Sequence, residues 1–245
     1  EDGCYAKLID LDKENEPVIA AALSMAGTLI ENVPPLPGKP LSETHPQELD
    51  LFDGSRTENT RFAYPLSCNP SVAEGARGPH PETIVLLTAD AFGVLPPISI
   101  LNEEEVMYHF VTGFTSKLAG TEVGITEPQA TFSTCFGAPF MPRRPEVYGN
   151  LLREKIAQHG ATCWLVNTGW TGGAYGVGKR IDLPSTRKII THILTGEIEN
   201  APRQTGAYFG LEIPVSLPGI DEKLLQPAKN WSDTEAYHKM ARTLV

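Results

Sequence analysis

At 245 residues, with 20 lysines and arginines against 30 aspartates and glutamates, the chain carries a formal charge of −10. It is long enough to bury a substantial core in one large domain or two small ones, and so acidic a balance argues against a general nucleic-acid binder or a protein drawn to anionic membranes. Cys4, Cys68, Cys135 and Cys163 form no C-x-x-C and have no histidine at ligand spacing, so neither a zinc site nor a disulfide framework is indicated. No apolar window has the length of a bilayer, and no charged-then-apolar leader precedes a small-residue cleavage site, so a cytoplasmic protein with reduced thiols is expected.

In chain order, Cys4 opens a run over residues 4–11 that reads as a strand already under way. Residues 13–26 place Val18, Ala21, Ala22 and Met25 at helical spacing, and residues 28–33 can return as a short strand. Residues 34–53, with prolines at 34, 35, 37, 40 and 46, form a long loop, Asp53-Gly54-Ser55 is a turn, and residues 60–66 are extended. A second Pro/Gly-rich stretch over 70–81 precedes the apolar run 83–88, read as a strand buried on both faces. Asn102 caps Glu103-Glu104-Glu105 and begins a helix predicted to reach Lys117, since early carboxylates meet the positive end of the helix dipole. Residues 145–159 are an amphipathic helix stopped by Gly160, residues 162–166 a strand, and residues 184–194 a helix with proline in its first turn and Gly196 just past its end. Residues 211–215 read as extended and 234–244 as helical. The fold class is α/β, with the proline-rich loops inserted beside a mixed sheet and residues 1–245 taken as one domain.

The stretch Asn167-Thr168-Gly169-Trp170-Thr171-Gly172-Gly173-Ala174-Tyr175-Gly176-Val177-Gly178-Lys179-Arg180-Ile181 carries the strongest chemical signal. A strand that empties into a glycine-rich loop lets backbone amides approach a ligand, and Lys179 with Arg180 favours an anionic one. Gly173, Gly178 and Lys179 fit G-x-x-x-x-G-K, but Arg180 stands where a P-loop needs a hydroxyl for Mg²⁺, so a working Walker A is rejected. The apolar strand ending in Asp90 mimics a Walker B; here Asp90 is read as ordering the Ala91-Phe92-Gly93 turn. The six histidines lack ligand spacing, and His109 is read as a helix-packing residue.

Other strings accompany this loop: Gly3-Cys4-Tyr5-Ala6-Lys7, Glu58-Asn59-Thr60-Arg61, Leu87-Thr88-Ala89-Asp90-Ala91-Phe92-Gly93-Val94-Leu95-Pro96-Pro97, Leu118-Ala119-Gly120-Thr121-Glu122, Ile125-Thr126-Glu127-Pro128 and Phe132-Ser133-Thr134-Cys135-Phe136-Gly137-Ala138. In this order they closely resemble the ATP-dependent phosphoenolpyruvate carboxykinase family, from about Gly3 to at least Pro218. The resemblance implies an incomplete nucleotide-binding α/β lobe from the family's carboxyl-terminal portion. The first half of the family, with its true P-loop and metal ligands, is expected to lie outside these residues, as are the family's last few residues.

By resemblance, Arg61 is the catalytic residue and also touches the nucleotide, lying between substrate and γ-phosphate. A guanidinium on rigid backbone holds a phosphate or carboxylate through two parallel hydrogen bonds, although a lone arginine is also an ordinary surface charge. Arg180, Ile181 and Thr186 match the adenine-binding motif; Ile181 reads equally as a core residue and Thr186 as an exposed residue of a first helical turn. Glu16 matches a ribose-associated residue and reads equally as a helix-start carboxylate. Gly120, Thr121, Glu122, Gly124 and Thr126 have the features of a moving lid, which a passive loop shares. Lys7 and Tyr175 sit at the edge of the expected site. The implied reaction turns oxaloacetate and ATP into phosphoenolpyruvate, CO2 and ADP with Mg²⁺ and Mn²⁺, in gluconeogenesis. The metal ligands are expected elsewhere, so these 245 residues alone are predicted to be inactive. The rival reading is a non-catalytic nucleotide-binding module.

Overall fold

The computed structural model describes residues 3–9, 11–14, 16–40, 45, 48–57, 59–117 and 125–244. The chain divides into two compact units, residues 1–79 with 118–127 and residues 80–117 with 128–245.

The first unit is built on a three-stranded antiparallel sheet. Strand β1 (Gly3–Lys7), helix α1 (Pro17–Ala22), strand β2 (Leu29–Glu31) and strand β3 (Arg61–Pro65) follow in sequence, with β3 in the middle of the sheet. Alternation sorts the side chains as a strand requires. Phe62 and Tyr64 face a core with Leu8, Leu11, Ala22, Leu23, Val33 and Leu51, while Tyr5, Lys7, Leu29 and Arg61 are exposed. Helix α1 is shorter than the predicted 13–26: it starts late, with Pro17, which has no N–H to donate, at the first helical position, and it ends at Ala22. Of the proline-rich loop, the described residues make one bridge, Pro35 to Leu49.

The second unit contains β4 (Thr83–Thr88), β5 (Ile98–Leu101), α2 (Glu103–Thr112), β6 (Phe114–Lys117), β7 (Gln129–Phe132), α3 (Pro145–His159), β8 (Thr162–Asn167), β9 (Trp170–Thr171), β10 (Lys179–Arg180), α4 (Leu183–Leu194), β11 (Arg203–Thr205), β12 (Glu212–Pro214), α5 (Glu222–Leu225), α6 (Pro227–Asn230) and α7 (Thr234–Leu244). Five strands form a mixed sheet in the order β11-β12-β5-β8-β4, parallel only between β4 and β8. Side chains on β8 alternate between two cores: Trp164 and Val166 pack with Ile189 and Ile193 of α4, and Cys163 and Leu165 pack with Val106 of α2 and Ile156 of α3. Both sheet faces are therefore covered, as in α/β proteins generally.

Two expectations need correction. The apolar run of β4 is an edge strand buried on both faces only in part: Val85 packs against one core and Leu86 lies in the other, but Leu87 is 55% exposed, and the strand with five consecutive buried residues is β8. Helix α2 has the predicted Asn102 cap, closed as a capping box, with Asn102 Oδ1 accepting from the amides of Glu104 and Glu105 and Glu105 Oε2 accepting from Asn102 N. It stops at Gly113, however, rather than Lys117. Gly113 is left-handed (φ 54), a Cβ there would lie 1.8 Å from Ser133 O, and Phe114–Lys117 turns into a strand paired with β7. Helices α3 and α7 have their predicted bounds, and α4 begins one residue earlier than predicted.

Candidate functional site

In the first unit, Arg61 begins the middle strand on its exposed face. The register sets Lys7 of β1 directly opposite it on one side and Glu31 of β2 on the other. Directly opposed residues bring their Cβ atoms to about 5 Å, and like charges so placed repel. Arg61 thus has a like charge, Lys7, on one side and an opposite charge, Glu31, on the other. The Arg61 side chain is aimed by Asn59, whose Oδ1 accepts from Nε at 3.0 Å; the Asn59 carbonyl in turn accepts from Asn32 Nδ2 at 3.0 Å. Asn32 itself is left-handed (φ 64). Tyr5, Ala6, Lys7, Asn59 and Arg61 line one open concavity. Glu16 occupies the N-cap position of α1 with no capping hydrogen bond from its side chain. Thr126 is exposed; Gly120, Thr121, Glu122 and Gly124 lie outside the described residues.

In the second unit, β8 feeds the glycine-rich segment, which closes into a hairpin, β9 against β10, instead of opening a helix at Lys179 as a P-loop does. Two buried polar side chains hold it. Asn167 Oδ1 accepts from the amides of Asp90 (3.0 Å) and Gly169 (2.8 Å) while its Nδ2 donates to Leu95 O (3.1 Å). Asp90 orders its turn as expected, accepting from the amides of Phe92 (2.8 Å), Val94 (2.7 Å) and Leu95 (2.8 Å). Burial pushes the Asp90 carboxyl up from the ordinary aspartate value, against the pull of these backbone donors. Backbone bonds tie the two loops directly, Trp170 N to Asp90 O and Tyr175 N to Ala91 O, both at 2.8 Å. They approach so closely that a Cβ on Gly93 would lie 2.1 Å from Gly173 O.

Arg180 leaves the hairpin beside this network. Its guanidinium carbon lies 5.5 Å from the centre of the Trp170 ring, within cation–π range, and Nε donates to Thr168 O at 3.0 Å. Tyr175 meets the same ring edge-on, at 5.5 Å and 84°. Ile181 is buried in the core beneath the sheet, and Thr186 sits in the first turn of α4, donating its hydroxyl to Asp182 O at 3.1 Å. The start of that helix is occupied by its own carboxylate: Asp182 caps Ser185 N at 2.8 Å and accepts from Ser185 Oγ at 2.9 Å. These bonds hold the Asp182 carboxyl below the usual range. A helix start already filled by a carboxylate favours an uncharged group such as a nucleoside over a phosphate.

Arg61 and Glu16 thus belong to the first unit, and Arg180, Ile181 and Thr186 to the second. Trp170, as the platform for Arg180, and Asn167, as the tie between two loops, have no role in the sequence reading, although both lie within the glycine-rich string. Nothing in the spacing near Lys7 shows that it faces Arg61, because cross-strand register is a long-range property.

The chain is a mixed-sheet α/β protein whose most buried strand, β8, runs into a glycine hairpin flanked by a stacked arginine. More narrowly, residues 1–223 match the phosphoenolpyruvate carboxykinase family, and the chain belongs to that family, matched to its carboxyl-terminal portion. It is 56% identical over all 245 residues to the phosphoenolpyruvate carboxykinase (ATP) of Ruegeria pomeroyi, 56% identical to that of Agrobacterium fabrum and 55% identical to that of Cereibacter sphaeroides. These alignments cover the whole chain but only 45%, 44% and 45% of the relatives, so the chain spans less than half their length. Among the described residues no helix is long and apolar enough to cross a membrane.

Proposed function

We propose that residues 1–245 are one carboxyl-terminal lobe portion of an ATP-dependent carboxykinase that converts oxaloacetate and ATP into phosphoenolpyruvate, CO2 and ADP, in the cytoplasm and in the service of gluconeogenesis. The observation that carries this reading is the opposed pair Lys7 and Arg61, two cations on neighbouring strands of an exposed sheet face, in a chain 56% identical along its whole length to an enzyme of that name. As CO2 leaves oxaloacetate, negative charge builds on the enolate oxygen. A guanidinium held by Asn59 stabilises that charge and the phosphoryl group that the oxygen then attacks; such transfers depend mainly on positioning and electrostatics.

Arg180, stacked on Trp170, offers its outer face to the adenine ring, with Thr186 and the flank of Ile181 completing the pocket. For Glu16 of the first unit, the role proposed is acceptance from hydroxyl groups such as those of ribose. Residues 120–126 close over the reacting groups and exclude water, protecting the enolate from protonation to pyruvate. Among the described residues no group of three or more His, Cys, Asp or Glu side chains is placed to hold a metal ion. The described residues therefore do not by themselves fit a Mg²⁺ or Mn²⁺ centre; what they supply is the positive charge of the arginines and Lys7.

The test is a chimera in which these residues replace the matching segment of the Ruegeria pomeroyi relative. Oxaloacetate-dependent formation of phosphoenolpyruvate at a rate near the relative's own is expected, whereas the 245 residues alone are expected to bind ATP without turnover. A folded chimera that binds ATP and makes no product would leave the non-catalytic nucleotide-binding module as the correct reading.

A further inference from the structure

The Asp90 turn supports the glycine hairpin from one side. On the other it meets the end of α6, beyond the residues 1–223 that match the family. Asn230, the last residue of α6, donates from Nδ2 to Thr171 Oγ1 at 2.7 Å, and its carbonyl oxygen stands 3.3 Å from where a Cβ on Gly172 would project. Its neighbour Trp231 donates from Nε1 to Gly93 O at 2.8 Å. Gly93 is the residue that packs against the Gly173 backbone, so two consecutive side chains grip the two loops where they touch. Trp231 is backed by Tyr237 of α7, ring centres 5.8 Å apart, and the Tyr237 hydroxyl reaches Val94 O at 3.4 Å.

We propose that Asn230 and Trp231 are positioning residues for the nucleotide. They fix the hairpin and, through Thr171 and its neighbour Trp170, the ring on which the Arg180 guanidinium lies. The nucleotide part of this proposal rests on the assignment of Arg180 to adenosine above. The grip itself does not. Both residues act through other groups, so their removal loosens the hairpin and weakens ATP binding without removing a contact to ATP. A packing role alone would lower stability but would leave ATP affinity of the folded variants unchanged.

The test uses the 245-residue protein, ATP titration calorimetry and amide hydrogen exchange. Asn230→Ala, Thr171→Val and Trp231→Phe are each expected to weaken ATP binding about 3- to 10-fold, the worth of one hydrogen bond. The Asn230→Ala/Thr171→Val double variant should be no weaker than either single one, because both remove the same bond. Exchange at the amides of Trp170, Tyr175, Gly178 and Ile181 should quicken in all of them, with circular dichroism unchanged. Trp231→Phe keeps the aromatic packing and serves if Asn230→Ala fails to fold. Unchanged exchange in the folded variants would overturn the grip whatever happens to ATP affinity, and so would additive losses in the double variant. Wild-type protein that binds no ATP would instead overturn the adenosine assignment, leaving exchange to decide the grip alone.

Discussion

The two units handle polar groups in opposite ways. In the first, Arg61 and Lys7 stand on the exposed face of a small sheet, and the guanidinium is aimed by a single bond to a residue two positions away. In the second, Asp90 and Asn167, 0% and 1% exposed, make three hydrogen bonds each; those of Asp90 close its own turn, and two of those of Asn167 join segments more than 70 residues apart. The charge of the first unit's sheet face is kept wet and locally tethered, so it contributes little to folding. Polar groups that must hold backbone in place are dry and fully partnered, so folding depends on them.

The sharpest break in that contrast would come from Arg61→Ala. Turnover of the chimera is expected to fall about 100- to 1000-fold, as for loss of one charge-stabilising group, while urea denaturation moves by no more than about 0.5 kcal/mol. Near-normal turnover in a folded variant would remove Arg61 from the chemistry. Asp90→Ala should do the reverse, stranding three buried amides at a cost of about 3 kcal/mol or more in the same denaturation measurement; a loss below about 1 kcal/mol would show that the network is not what holds the turn.

Acid should single out the second unit. Burial lowers the His109 pKa to about 4 from its ordinary value near 6.5, so the folded protein keeps this ring neutral where the unfolded chain would protonate it. Stability from this source is complete above pH 6.5 and falls as the pH drops toward 4, by on the order of 2–3 kcal/mol. Denaturation midpoints of wild type and His109→Gln at pH 7 and pH 5 should therefore differ less at the lower pH; parallel curves would contradict the assignment. The smallest expected effect is in Arg180→Ala and Thr186→Ala, which should raise the chimera's KM for ATP about tenfold and that for oxaloacetate much less. Equal effects on both would mean that the adenosine pocket lies elsewhere.

What could be read beforehand were the features decided within a few residues: the cap at Asn102, the Gly160 stop, the Asp90 turn and the strand feeding the glycine loop. The misreadings came where a longer-range term won. The α2 pattern continues past Thr112, but Gly113 lies against Ser133 and the following residues pair with β7. The β4 run is as apolar as a central strand, yet its place at the sheet edge depends on strand order, which composition does not encode. The candidate site divides similarly. Arg61 and Arg180 stand in recognisable strings, whereas Lys7 opposite Arg61 and Asn230 on Thr171 are pairings across 54 and 59 residues.

Where the two loops touch backbone to backbone, the gap at that point is set by atomic radii. A Cβ on Gly169 would fall 2.3 Å from Asp90 N and O, just as one on Gly93 would strike Gly173. Mutation can therefore not move the hairpin by small steps; it can only break the contact or leave it alone. The hairpin tip is free of that constraint, with Val177 82% and Tyr175 44% exposed. In a library of all single substitutions, tolerance should switch abruptly between these neighbouring positions, so that lineages can alter what the tip meets while the placement of Arg180 is passed on unchanged.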